Sequence, residues 1–159
     1  PEFCDFCADC AMTAGYHEVV YDDGDQYKGE WNADGKRDGF GVLTFADGSR
    51  YSGKFQNGMC EGSGVLSFPD GSKYEGEFGG GKYNGHGVYS RADGMKYEGQ
   101  FADGQVRGLG LLTFADGTCG RPRQEGEWDG TRLVRRQKAD AAVRAAQDAA
   151  VKAKASVRK

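Results

Sequence analysis

The sequence predicts an all-β fold, an elongated single-layer antiparallel sheet of tandem β-hairpins with a C-terminal capping α-helix. Three observations predict it. A five-residue block of the form Tyr-x-Gly-x-aromatic recurs at spacings of 24, 23 and 23 residues. A second, glycine-rich block follows each copy, and an Ala/Lys/Arg-rich tail follows the last.

The first block runs Tyr27 to Trp31 (YKGEW), Tyr51 to Phe55 (YSGKF), Tyr74 to Phe78 (YEGEF) and Tyr97 to Phe101 (YEGQF), with a degenerate fifth copy at Gln124 to Trp128. The second runs Gly39 to Arg50, Gly62 to Lys73, Gly85 to Lys96 and Gly108 to Thr118, and a half-copy, Tyr16 to Gly24, precedes the array. Side chains alternate faces along a strand. Tyr27, Gly29 and Trp31 therefore share one face, and Lys28 and Glu30 take the other. Two such period-2 blocks joined by a short Gly-containing loop read as a hairpin. The pairs Asp47-Gly48, Asp70-Gly71, Asp93-Gly94 and Asp116-Gly117 supply the positive φ of the turns between hairpins.

Glycine inside a strand normally weakens it. Its recurrence beside aromatics has a use, because a missing Cβ lets a neighbouring ring lie over the backbone. Rings stacked along the array replace the core that a 23-residue unit cannot build alone.

These blocks set the domain limits. Residues 1–15 read as a disordered leader, partly vector-derived at Pro1-Glu2-Phe3; residues 16–131 form the repeat sheet; residues 132–159 form a basic segment with a helix over about 138–157. In that helix Val143, Ala146, Ala150, Ala153 and Val157 make a narrow apolar stripe. The stripe suits a cap over the exposed end of the sheet, since repeat arrays need caps. A partner-binding helix and a membrane-surface helix are the alternatives, the latter disfavoured because the stripe lacks bulky side chains.

Composition excludes several classes. The chain has 27 Gly but only 3 Pro among 159 residues, without a triplet repeat, which rules out collagen. Its 19 aromatics are too many for a disordered linker. The net charge of −3 divides into +7 over 132–159 and −10 over 1–131. An acidic body argues against nucleic acid as ligand and favours a basic partner. No apolar run is long enough to span a membrane. The five Cys do not form a disulfide framework, so a cytoplasmic setting fits.

Chemistry-bearing motifs are weak. Cys4, Cys7 and Cys10 form C-x2-C-x2-C, which could bind zinc with His17, but the segment lacks a framework to hold ligand geometry. Gly76 to Lys82 fits G-x-x-x-x-G-K, yet Tyr83 follows where a phosphate loop needs Ser or Thr and a helix, so a hairpin loop is the better reading. Cys60 and Cys119 fall in loops without a catalytic context. A single-layer sheet makes no walled cleft for paired carboxylates. The chain is expected to be a non-enzyme with no cofactor.

The blocks quoted above resemble the MORN repeat, whose pattern is Y-E-G-E-W/F, a G-K-x-H/N-G-x-G stretch and a D-G turn. The resemblance covers 116 of 159 residues. The long last turn, Asp116 to Gly126, and the run Leu133 to Lys138 are similar to the retinophilin type of small MORN proteins. That resemblance implies a partner, the tail of a class III unconventional myosin, and a place, the actin-rich protrusions of the cell. The third repeat departs from the pattern, with Tyr89 and Arg91 where the others have Leu and Phe.

The expected site follows from both lines. A twisted sheet curves, and one face of a repeat array becomes an extended binding surface. Tyr51, Phe55, Phe68, Tyr74, Phe78, Tyr89, Tyr97 and Phe101 are the candidate peptide anchors, with Glu61, Glu75, Glu77 and Glu98 as steering charges on a solvated face. The competing reading makes the aromatics the fold's only packing layer. Weak contact of the basic tail with anionic membrane is the alternative function. The chain is expected to be a monomer.

Overall fold

The computed structural model describes residues 14–114 and 123–157. Eleven strands follow one another: β1 (Gly15–Val20), β2 (Gln26–Trp31), β3 (Arg37–Thr44), β4 (Arg50–Gln56), β5 (Met59–Ser67), β6 (Lys73–Gly79), β7 (Lys82–Ser90), β8 (Lys96–Ala102), β9 (Gln105–Thr113), β10 (Arg123–Asp129) and β11 (Arg132–Arg136). One helix, α1 (Asp140–Val157), ends the chain. The strands lie in one open sheet in sequence order, each antiparallel to the next. The sheet runs past the expected limit at residue 131, because Arg132–Arg136 pairs with β10.

Two kinds of turn alternate. The Asp-Gly turns lie between hairpins as expected: Gly48, Gly71 and Gly94 have φ of 95°, 92° and 94°. The aspartate carboxyl closes each turn by accepting from the amide two residues on, as in Asp70 Oδ1 with the Ser72 N–H at 2.7 Å. Those bonds hold the Asp47 and Asp70 carboxyls below the usual range. The tight hairpin turns use Asn57-Gly58, Gly80-Gly81 and Asp103-Gly104, where both residues have positive φ, as a two-residue turn matched to strand twist requires. The stretch Gly76 to Lys82 is therefore a hairpin end and not a phosphate loop.

The core is a single layer of rings on one face. Tyr27, Tyr51, Tyr74 and Tyr97 alternate with Trp31, Phe55, Phe78, Phe101 and Trp128, each tyrosine edge-on to two neighbours. The Tyr51–Phe78 centroids, for example, are 4.9 Å apart at 84°. Such pairs contribute about 0.5–1.5 kcal/mol each beyond the area they bury. Each of these four tyrosines lies over a glycine of the next strand: a Cβ on Gly87 would sit 2.6 Å from Tyr74 Cε2. The hydroxyl still finds a partner, because Tyr74 Oη donates to the Glu77 carbonyl at 2.8 Å, as Tyr27 and Tyr51 do to Glu30 and Lys54.

Helix α1 does not cap the end of the sheet. It lies across the opposite face, against β4 to β9. Its buried positions are all alanine: Ala142, Ala146, Ala149, Ala150 and Ala153. Val143 is only half-buried, and Ala142 and Ala149 join the expected stripe instead. The side chain of Val157, and the expected features at Cys4, Cys7, Cys10, Asp116-Gly117 and Cys119, lie outside the described residues. Small side chains let the helix axis approach the sheet closely, with Ala146 and Ala150 packed on Val88.

Replacing Gly87 with Ala is expected to cost about 1–3 kcal/mol in urea unfolding, the usual cost of overpacking. Alkali tests the same layer. Burial pushes the phenols of Tyr27, Tyr51, Tyr74 and Tyr97 above their ordinary value, and that of Tyr83 to about 12. A raised folded-state pKa means the unfolded chain loses its protons first. Stability from these groups is complete below about pH 10 and falls as pH rises through the folded values. Unfolding followed by near-ultraviolet circular dichroism at pH 8, 10 and 11.5 is expected to show that loss only above 10.

Candidate interaction surface

The hairpins place the two kinds of candidate residue on opposite faces. Tyr74, Gly76 and Phe78 of β6 point to the aromatic face, so Glu75 and Glu77 between them point away from it. Glu98 is opposed to Val88 and Leu111 on that second face, as Glu75 is to Val65 and Val88. Glu75 and Glu98 therefore lie on the other face from the aromatic anchors, and not on the solvated face expected of them.

Two of these acids are also not solvated. Glu75 and Glu98 are each 5% exposed, covered by α1. Glu75 ion-pairs with Lys154 of the helix and Lys73 of its own strand, both at 3.3 Å. Glu98 accepts from Gln147 Nε2 at 2.7 Å and faces Lys96 at 3.7 Å. A third acid fixes the other end of the helix, since Glu125 Oε1 accepts from the Ala139 amide at 2.6 Å. Buried acids need such partners, because an unpaired one would be strongly destabilising.

The other two acids serve the backbone. Each first hairpin strand is opposed by a bulged second strand: Gly76 pairs with Gly87 but Phe78 with Tyr83, leaving three residues opposite one. Glu77 Oε2 accepts the His86 amide of that bulge at 2.7 Å, and its carboxyl lies 3.7 Å from His86 Nδ1. Glu30 and Gln100 do the same for Phe40 and Leu109. Glu61 accepts the Gly80 amide of the next hairpin turn at 3.0 Å. Asp38, Lys54, Glu61, Glu77 and Asn84, together with Phe55 and Phe78 of the ring ladder, line a shallow polar cleft of about 770 Å³ along these bulges.

On the aromatic face, Tyr51, Phe55, Tyr74, Phe78, Tyr97 and Phe101 are nearly fully buried in the ring ladder. Their surfaces are largely used by one another. Phe55 and Phe78 also line the polar cleft, and Phe101 lines a pocket of about 280 Å³ with Phe68, Tyr83, Tyr89, Gly104 and Val106. Phe68 and Tyr89 are half-buried and line that cavity. Tyr83, Gly104 and Val106 were missed. The available signal was position, as Cys60, Tyr83 and Val106 each open the second strand of a hairpin, opposite Phe55, Phe78 and Phe101. Tyr83 stacks on Tyr74 at 4.2 Å and 26°, unlike the edge-on pairs of the ladder.

Arg37 holds the same row in the first hairpin, opposite Trp31. Its guanidinium lies 5.7 Å from the Tyr27 centroid and 5.6 Å from that of Phe55, and it donates to the Gly58 carbonyl at 2.9 Å. Cys60 is half-buried and its thiol is pushed up to about 11 by burial, which leaves it a poor nucleophile at neutral pH. Among the described residues no three His, Cys, Asp or Glu converge to hold a metal ion.

The family model for the MORN repeat matches residues 27–50, 51–73, 74–96 and 97–119, more than half of the chain. Each of the first three matched units is one hairpin with the Asp-Gly turn that follows it, and the fourth contains the hairpin of β8 and β9. A Drosophila melanogaster protein described as MORN repeat-containing protein 4 homolog is similar over a shorter stretch, 54% identical over 39 residues. That stretch is 24% of this chain and only 20% of the length of the relative.

The helix seat is testable by volume. Ala146 is fully buried against Val88. Ala146→Leu is expected to cost about 1–3 kcal/mol in thermal unfolding. Near-ultraviolet signals from the ring ladder on the other face should be unchanged below the transition.

Proposed function

This chain belongs to the MORN repeat family, and from that premise we propose that it is a non-enzymatic protein–protein adaptor whose aromatic face binds a segment of the tail of a class III unconventional myosin, in actin-rich protrusions of the cytoplasm. The observation that carries the reading is the apolar pocket of Phe68, Tyr83, Tyr89, Phe101, Gly104 and Val106. The ring ladder beside it is already packed ring against ring, and a pocket formed without a guest costs that guest less to enter. It opens on the face that the helix leaves uncovered. The choice of partner rests on the retinophilin-type resemblance of the sequence.

The anionic-lipid alternative has less support. Arg132, Arg135, Arg136 and Lys138 are exposed at one end of the sheet and offer an electrostatic handle. The alanine face of α1 is occupied by the sheet, and Val151 is the large apolar side chain it exposes. A membrane-surface helix needs a bulky apolar face that is free.

Titration calorimetry with class III myosin tail peptides tests the reading. Phe68→Ala with Tyr83→Ala is expected to weaken binding at least about tenfold, the scale of a hot-spot loss. These side chains border the ladder rather than form it, so the variant should stay folded. Unchanged affinity in a folded double variant, or no binding by the wild type, would remove the proposal.

A further inference from the structure

The pocket straddles three repeats, with Phe68 from the second, Phe101, Gly104 and Val106 from the fourth, and Tyr83 and Tyr89 from the third, and the third departs from its neighbours in three places at once. Where the second and fourth hairpins have Cys60 and Val106, the third has Tyr83. Where they have Leu66 and Leu112, it has Tyr89. Where they have Phe68 and Phe114, it has Arg91. Tyr83 and Tyr89 line the pocket, and Arg91 follows Tyr89 by two residues. A regular array offers a guest several equivalent positions one repeat apart. A repeat that differs in three rows removes that equivalence and fixes where along the array the guest must sit.

We propose that the third repeat sets the register of the bound peptide by taking one large apolar or aromatic side chain into the Tyr83–Tyr89 pocket and one carboxylate of the same peptide onto Arg91. This rests on the reading of the aromatic face as the interaction surface. It reverses the expectation of a basic guest that the acidic net charge of the body suggests.

Size supports the first half. An apolar cavity of about 150 Å³ is enough for a benzene ring, and this open pocket has about 280 Å³. Its walls are mixed in character. Two tyrosines bring hydroxyls to a rim otherwise built from Phe68, Phe101 and Val106.

Charge supports the second half. The acids of the array that would repel a carboxylate point elsewhere: Glu75 and Glu98 lie beneath α1, and Glu77 is bonded to a bulge amide on the same opposite face. On the aromatic side the ladder itself is crossed by a cation, Arg37. Arg91 is half-exposed and bridges Asp93 at 3.0 Å, with Met95 Sδ at 3.8 Å from its Nη1. An exposed pair of this kind contributes little to stability. A guest carboxylate can therefore exchange with Asp93 at small cost and be held by the planar fork of the guanidinium.

The test uses the full chain and overlapping peptides that tile a class III myosin tail. The tightest peptide is then varied, each acidic position to Lys and each large apolar position to Ala, and affinity is read by fluorescence anisotropy against wild type and Arg91→Glu. One acidic position is expected to lose about tenfold with wild type when changed to Lys and to regain it with Arg91→Glu, while one apolar position loses binding to both. Binding that is insensitive to Arg91→Glu at every acidic position overturns the register proposal and leaves the adaptor reading standing. Failure of every peptide to bind removes the adaptor reading and this inference with it.

Discussion

A tyrosine ring lying flat over a glycine of the adjacent strand is the contact on which the molecule depends. The four tyrosines Tyr27, Tyr51, Tyr74 and Tyr97 sit over Gly41, Gly64, Gly87 and Gly110, whose missing Cβ atoms leave the space that each ring fills. A single sheet has no second layer to bury its apolar face. Here the face buries itself, because each flattened ring is enclosed by an edge-on Phe or Trp on either side. The hydroxyl reaches a backbone carbonyl three residues on, so burial leaves no unmet polar group on the phenol. The layer is continuous from β2 to β10, and no repeat could hold it alone.

The opposite face solves the same problem by another route. It carries charged and small side chains, and its apolar elements, Val88 and Leu111, are covered by an alanine helix. The helix is held by acids of the sheet at three places, Glu125 near its start, Glu98 in its middle and Glu75 near its end. The arrangement also suits the helix dipole, since Lys154 in the last turn meets the Glu75 carboxyl. One face is thus closed by the chain itself, while the aromatic face keeps an open pocket around its third repeat.

Much of the fold was legible in the sequence. Spacing and period-2 alternation gave the hairpins, the Asp-Gly turns and the single layer. The split of the expected site across two faces was legible too, since alternation alone places Glu75 opposite in direction to Tyr74 and Phe78. What could not be read was the bulge in each hairpin, which depends on Gly39, Gly85 and Gly108 adopting positive φ against a carboxyl or amide from the facing strand, and on Gly62 doing so against the Lys54 side chain. Nor could the seat of the helix be read, because an alanine stripe reports that a helix packs closely without saying on what. The anchors are ambiguous for a related reason: a repeated aromatic signals a packing layer and a binding layer equally well.

The ring-over-glycine contact is tested most directly by a double-mutant cycle on Tyr51 and Gly64. The three atoms nearest a Cβ added at Gly64 all belong to the Tyr51 ring. Equilibrium unfolding of Gly64→Ala, Tyr51→Leu and the pair together gives the coupling. If the account holds, Gly64→Ala costs far less once the ring is gone, with a coupling above about 1 kcal/mol. Additive losses would contradict it, since they would mean that the glycine is needed for some reason other than the ring.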